Sequence, residues 1–225
     1  MAKPPQAERL RLAGPAGALE ALIEIPGDHG AAAPATPPPA FAVVCHPHPL
    51  HGGTLDNKVV WTVTRACHAF DVPTIRFNFR GVGASEGAFD CGRGETRDAL
   101  AAVALGRQRW PEAALWLAGF SFGGVVALQA AAESLPACLI AIAPGITRVE
   151  GGTAPAPACP WLVVQGGADE VVPAAAVSAW AHTLSPPPEL RLLEGAGHFF
   201  HGRINELRDV IEEFLERHAP VAHGL

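Results

Sequence analysis

No stretch of this 225-residue chain approaches the ~20 consecutive apolar residues needed to span a bilayer. Met1 to Leu12 is charged and contains prolines, with no apolar core of a signal peptide. No basic run interleaved with aromatics is present, and the formal net charge of −6 argues against nucleic acid as the main partner. Charged residues are only 17% of the chain, against 49% hydrophobic, a globular rather than a disordered balance. Cysteine is scarce and unpaired in pattern: five residues, Cys45, Cys67, Cys91, Cys138 and Cys159, with no close pairs. Without an export signal, these read as reduced thiols of a cytoplasmic protein, with packing the expected role of Cys45. No internal repeat is visible. One domain over 1–225 is expected, large enough to bury about 70–75% of its unfolded-state surface.

What is present is an alternation of short strands and helices. Glu8–Leu12 and Leu19–Ile25 alternate around Gly14-Pro15-Ala16-Gly17 and predict an N-terminal hairpin. Residues 31–40 are rich in proline and alanine and predict an exposed loop. Strands are then expected at Phe41–Cys45, Thr74–Phe79, Leu115–Ala118, Cys138–Ile142, Trp161–Gln165 and Leu190–Leu193. Helices are expected at Lys58–Phe70, capped by Asp56 or Asn57, and at Glu95–Arg107, Gly124–Glu133, Pro173–Leu184 and Arg203–His218. This order predicts an α/β fold. Its central sheet is mostly parallel after the antiparallel hairpin, with helices on both faces. Ligands of such sheets sit at the carboxyl ends of the strands.

Residues 119–123, Gly-Phe-Ser-Phe-Gly, fall between a strand and a helix. That is the setting of a nucleophile elbow, where a sharp turn presents the serine hydroxyl at the rim of the sheet. A serine hydroxyl near neutral pH needs a base. His198 follows the strand Leu190–Leu193 in a glycine-rich loop and is the best-placed base, with His201 its rival. Asp169 follows the strand Trp161–Gln165 and is the expected orienting carboxylate. Glu170 is its neighbour, and Asp90 and Asp98 precede Ser121, which breaks the order Ser, Asp, His. An oxyanion hole needs two donors. Phe122 N–H, at the helix start, is the first. After Phe41–Cys45 the chain reads His46-Pro47-His48-Pro49-Leu50-His51-Gly52-Gly53. Proline has no N–H, so His48 is the expected second donor and Leu50 the fallback. His46, His48 and His51 could also suggest a metal site, but no acidic ligand accompanies them, and no metal is expected. Arg80-Gly81-Val82-Gly83 lacks the third glycine of a dinucleotide fingerprint, and a loop lining the site mouth is expected instead. No cofactor is expected.

Together, the His-Pro-His-Pro-Leu-His-Gly-Gly, Phe-Asn-Phe-Arg-Gly-Val-Gly, Gly-Phe-Ser-Phe-Gly, Gly-Ala-Asp-Glu and Gly-His-Phe-Phe segments resemble the α/β-hydrolase superfamily over roughly residues 40–218. Within it they resemble a small bacterial group of compact serine hydrolases related to the dienelactone-hydrolase-like proteins. Dienelactone hydrolases proper use a cysteine where this chain has Ser121. The resemblance implies the α/β-hydrolase fold and a serine hydrolase. Many members insert a helical lid between the strands matching Cys138–Ile142 and Trp161–Gln165. Here residues 143–160 are a short run broken by prolines and glycines, so no sizeable lid is expected. The expected substrate is a small carboxylic ester cleaved through an acyl-enzyme, with thioesterase or peptidase chemistry on the same residues as the alternative. A non-catalytic binding protein on the same scaffold would predict a broken triad. A monomer or homodimer is expected, without nucleic acid or membrane partners.

Overall fold

A computed structural model of the chain describes residues 5–27, 37–146 and 155–218. It holds eight strands in one sheet: β1 (Gln6–Gly14), β2 (Gly17–Ile25), β3 (Ala40–Cys45), β4 (Thr74–Phe77), β5 (Ala114–Phe120), β6 (Cys138–Ile142), β7 (Trp161–Gly166) and β8 (Glu189–Leu193). Five helices connect them: α1 (Lys58–His68), α2 (Arg93–Arg109), α3 (Phe122–Ser134), α4 (Ala174–His182) and α5 (Ile204–His218). The spatial order is β1-β2-β4-β3-β5-β6-β7-β8. Strands β1 and β2 pair antiparallel, with Gly14 opposite Gly17, and β2 pairs antiparallel with β4. All later pairs are parallel. The hairpin followed by βαβ units is therefore the architecture the patterning predicts.

Apart from half-buried Ala114, strands β3 to β7 are buried along their length, and all but β4 read as nearly continuous apolar runs, as parallel strands covered on both faces do. One core lies between the sheet and α2, α3 and α4, built around residues such as Phe41, Phe77, Leu117, Val126 and Val163. The other lies under α1 and α5 and includes Val60, Val63, Phe120, Val164, Leu207 and Phe214. Helix α3 buries residues around most of its circumference, which fits its place next to both the sheet and α2. Helix α5 instead buries one stripe, Leu207, Ile211, Phe214 and Leu215, as its sequence period predicts.

Asn57, not Asp56, caps α1: its side chain accepts the amides of Val59 and Val60. Strand β4 ends at Phe77, two residues before the expected boundary, yet Ile75, Phe77 and Phe79 still share one core. The Arg80–Gly83 loop does not line the site, correcting the expectation. Its continuation, residues 84–86, is stapled to the hairpin instead. Glu86 N–H donates to Ala18 O, Ala84 N–H to the Glu20 carboxylate, and Glu20 N–H to Ser85 Oγ. Gly83 leaves space for Asn78 and Glu20, each of which would lie 2.6 Å from an added Cβ. All five cysteines are free, and burial, helped by the charge of Asp98, pushes the Cys45 thiol far above its ordinary value, as packing rather than reactivity requires. Among the described residues no helix is long and apolar enough to cross a membrane. Most of the expected exposed loop, residues 31–36, and the centre of the expected short connection, 147–154, lie outside the described residues.

Candidate active site

Strand β5 runs straight into α3, and Ser121 is the single residue between them. Its backbone is turned to φ 55°, ψ −117°. No L-residue adopts that conformation freely, and the surroundings hold it there. Ser121 N–H donates to Ile142 O at 2.8 Å, while Ser121 O accepts from Gly124 N–H at 3.0 Å and Gly145 N–H at 3.1 Å. Two glycines make the turn possible. A Cβ on Gly119 would lie 2.1 Å from Gly123 O, and one on Gly123 would lie 2.4 Å from both Cys45 O and His46 O. The start of α3 can thus press against β5 and the end of β3.

His198 comes from the loop after β8, and Asp169 from the loop after β7. The structure brings both to Ser121. His198 Nε2 lies 3.0 Å from Ser121 Oγ, and His198 Nδ1 lies 2.8 Å from Asp169 Oδ2. A carboxylate only accepts, so Nδ1 carries the hydrogen, and Nε2 is left to accept from the serine hydroxyl. Both side chains are buried. Asp169 accepts four hydrogen bonds. Oδ2 receives His198 Nδ1 and Gln165 Nε2 at 2.9 Å, and Oδ1 receives Val171 N–H at 2.8 Å and Val172 N–H at 2.7 Å. Burial pushes this carboxyl upward. The His198 bond and the Val172 and Val171 amides together outweigh it and hold the group below its ordinary range.

The rival residues are placed elsewhere. His201 is exposed, with its ring 5.9 Å from that of Phe199. Glu170 instead accepts His198 N–H at 3.2 Å and so fixes the loop that carries the histidine. Asp98 is buried under the Arg80 guanidinium, and Asp90 lies 3.5 Å from Arg93. Gln165 and Glu170 were not anticipated as partners of the site. Gln165 left one signal in the sequence: it is the only polar residue in the run Trp161–Gln165.

Ser121, Phe122, Pro47, His48, His51 to Gly53, Asn57, Gly145, Val171, His198 and Phe199 surround a cavity of about 320 Å³. Phe122 N–H stands at the first turn of α3, where helix amides have no internal partner. His48 lies in the loop after β3. Leu50 N–H is already bonded to His48 Nδ1 at 3.2 Å, so the fallback donor is occupied. The histidines of this loop do not converge as metal ligands. His46 donates from Nδ1 to Pro47 O at 2.6 Å and accepts Phe79 N–H on Nε2 at 3.0 Å, which uses both ring nitrogens. Burial pushes its pKa down to about 4, against the opposing effect of the Pro47 bond. Among the described residues no group of three or more potential metal ligands occurs.

Comparison with known proteins fits this geometry. A family model described as X-Pro dipeptidyl-peptidase (S15 family) matches residues 74–154. The uncharacterized protein RP471 of Rickettsia prowazekii is 34% identical over 214 residues, covering 90% of this chain and 86% of that one. Among solved structures, XC6422 from Xanthomonas campestris, described as an α/β serine hydrolase without lid, is 40% identical. It covers 98% of each chain with a TM-score of 0.87. An α/β serine hydrolase homologue from Coxiella burnetii is 41% identical, covers 92% of this chain and 97% of its own, and gives a TM-score of 0.84. With an elbow serine, a post-strand histidine and a post-strand aspartate on this sheet, the chain belongs to the α/β-hydrolase superfamily.

Proposed function

We propose that the protein is a serine hydrolase that cleaves small, neutral carboxylic esters through an acyl-enzyme. The observation that carries this reading is the unbroken chain of hydrogen bonds from Ser121 Oγ through His198 to Asp169. Ser121 Oγ attacks the ester carbonyl and its proton passes to His198 Nε2. Asp169 holds the imidazolium by the Nδ1–H bond. The carbonyl oxygen, now negative, is held by the N–H groups of Phe122 and His48. Collapse of the tetrahedral species breaks the bond to the alkoxy oxygen, which leaves as alcohol with the proton from His198. Water, deprotonated by the same histidine, then releases the acid and restores the serine.

The walls of the cavity support the choice of a neutral ester. Among the described residues lining it, none is Asp, Glu, Lys or Arg. A peptidase that reads a free N-terminus needs a carboxylate or a row of acceptors for the ammonium, because an unpaired charge moved out of water is costly. The described lining supplies no such carboxylate, which favours a neutral ester over a dipeptide. The match of residues 74–154 to a peptidase family keeps the peptidase reading as the alternative.

Wild type and Ser121→Ala are compared on p-nitrophenyl esters of two to eight carbons, an acyl-thioester and an X-Pro p-nitroanilide. Ester turnover, lost by at least ~10³-fold in Ser121→Ala, is expected together with covalent labelling of Ser121 by a fluorophosphonate. Faster turnover of the anilide than of any ester would install the peptidase instead. No turnover and no labelling would leave a binding protein.

A further inference from the structure

His46 is fully buried and belongs to neither the triad nor the cavity wall. Both of its hydrogen-bond partners are backbone groups of fixed polarity. Pro47 O can only accept and Phe79 N–H can only donate, so the ring is neutral with its hydrogen on Nδ1. The Phe79 end is itself anchored. The next residue, Arg80, donates from its backbone N–H to Asp98 Oδ2 at 3.1 Å and grips the same carboxylate with its guanidinium at 2.9 and 2.7 Å. His46 therefore hangs from a rigid point and holds the Pro47 carbonyl.

That carbonyl shares a peptide plane with the His48 N–H. The bond is not among the cis peptides of the described residues, and in a trans peptide C=O and N–H point in opposite directions. Holding Pro47 O toward the buried imidazole turns His48 N–H away from it. His48 itself lines the cavity beside Ser121 and Phe122. A second constraint acts on the same carbonyl: a Cβ on Gly53 would fall 2.0 Å from Pro47 O, and Gly53 is held there by its N–H, which donates to the next carbonyl, His48 O, at 3.1 Å. The peptide thus has an imidazole bonded to its carbonyl and a glycine packed directly against it.

We propose that His46 is a positioning residue for the oxyanion hole, which aims the His48 N–H by holding the Pro47 carbonyl. The inference rests on the reading of His48 as second donor. A donor earns its full effect only where negative charge develops, so misaiming it slows the chemical step rather than binding. Asparagine can place an amide N–H near the position of Nδ1. Glutamine reaches the position of Nε2 and keeps the Phe79 clamp. In folded protein, His46→Gln is expected to lower kcat by about 10- to 100-fold with KM within about threefold, and His46→Asn is expected to restore most of it. Gly53→Ala, which displaces the same carbonyl without touching His46, should show the same kcat-specific loss and serves if His46→Gln fails to fold. A clamp of structural value alone would lower the melting temperature of His46→Gln while its folded fraction kept wild-type kcat, and that result overturns the proposal. Replacing the His48 amide by an ester linkage, with the side chain kept, separates the two readings. Unchanged kcat there overturns His48 as donor. A fall in kcat there, with full kcat in His46→Gln and Gly53→Ala, overturns only the role of His46.

Discussion

Ser121 sits where its backbone works against it. A non-glycine residue at φ 55°, ψ −117° stores on the order of 1–3 kcal/mol, which the hydrogen bonds of its N–H and C=O and the packing of α3 sustain. Removing the hydroxyl alone leaves that strain in place, because alanine keeps Cβ. Glycine removes it and loses some of the gain to the greater entropy of its unfolded chain. Ser121→Gly is therefore expected to be more stable than Ser121→Ala by about 1 kcal/mol, with both inactive, as read from urea unfolding midpoints at constant slope. Equal stability of the two variants would mean that the turn is relaxed. The same residue was the most legible in the chain, since its role follows from two flanking glycines between a strand and a helix. Gln165 and Glu170 were less so, because their partners, Asp169 and the His198 amide, are set by loops meeting in space.

At the scale of elements, the site depends on how closely α3 approaches the end of β3. Gly123 is the contact point, and the atoms an added Cβ would meet are backbone oxygens of Cys45 and His46. Backbone on a central strand cannot step aside. Overpacking of this kind costs typically 1–3 kcal/mol, and the upper end is expected here. Phe122 is carried by α3 and His48 by the loop after β3, so any relief by separation also spreads the two proposed oxyanion donors. Gly123→Ala should thus lower both the unfolding midpoint and, in the folded protein, kcat by at least about 10-fold. A stable variant with unchanged kcat would show that the two elements are free to part. Element type was legible from periodicity in the hairpin and α5 and from short apolar runs in the central strands, while ends were not. Helix α2 begins at Arg93 because Glu95 reaches back to Gly92 N–H and Asp90 N–H, a local bond that no periodicity reports. Arg80–Gly83 lies away from the expected site mouth because Gly83 and the residues after it, 84–86, meet Ala18 and Glu20 on a hairpin more than 60 residues away in the chain.

For the molecule as a whole, two buried histidines tie stability to pH. His46 clamps the loop after β3. His68, at the end of α1, lies 3.3 Å by Nε2 from Thr74 Oγ1. Burial pushes both down to about 4. At His68, Glu24 opposes the shift, while Arg65 and Arg76 add to it. In the unfolded chain each returns to about 6.5. Their neutral forms are therefore favoured by folding. That stability is fully present above pH 6.5, and it is lost as pH falls toward 4 because the unfolded chain takes up protons that the folded one refuses. Between these limits each histidine contributes a slope approaching 1.4 kcal/mol per pH unit, about twice that for the pair. Asp169, Glu20 and Glu189 are held below their ordinary values and add their losses only at lower pH, through the carboxylate range. Unfolding free energy from urea titrations should accordingly fall between pH 6.5 and 5, before most carboxylates titrate. In His68→Gln the slope over that interval should drop by about half. A wild-type stability that stays flat down to pH 5 would mean that both rings already accept protons in the folded protein. His46 could not then keep the single tautomer that holds the Pro47 carbonyl.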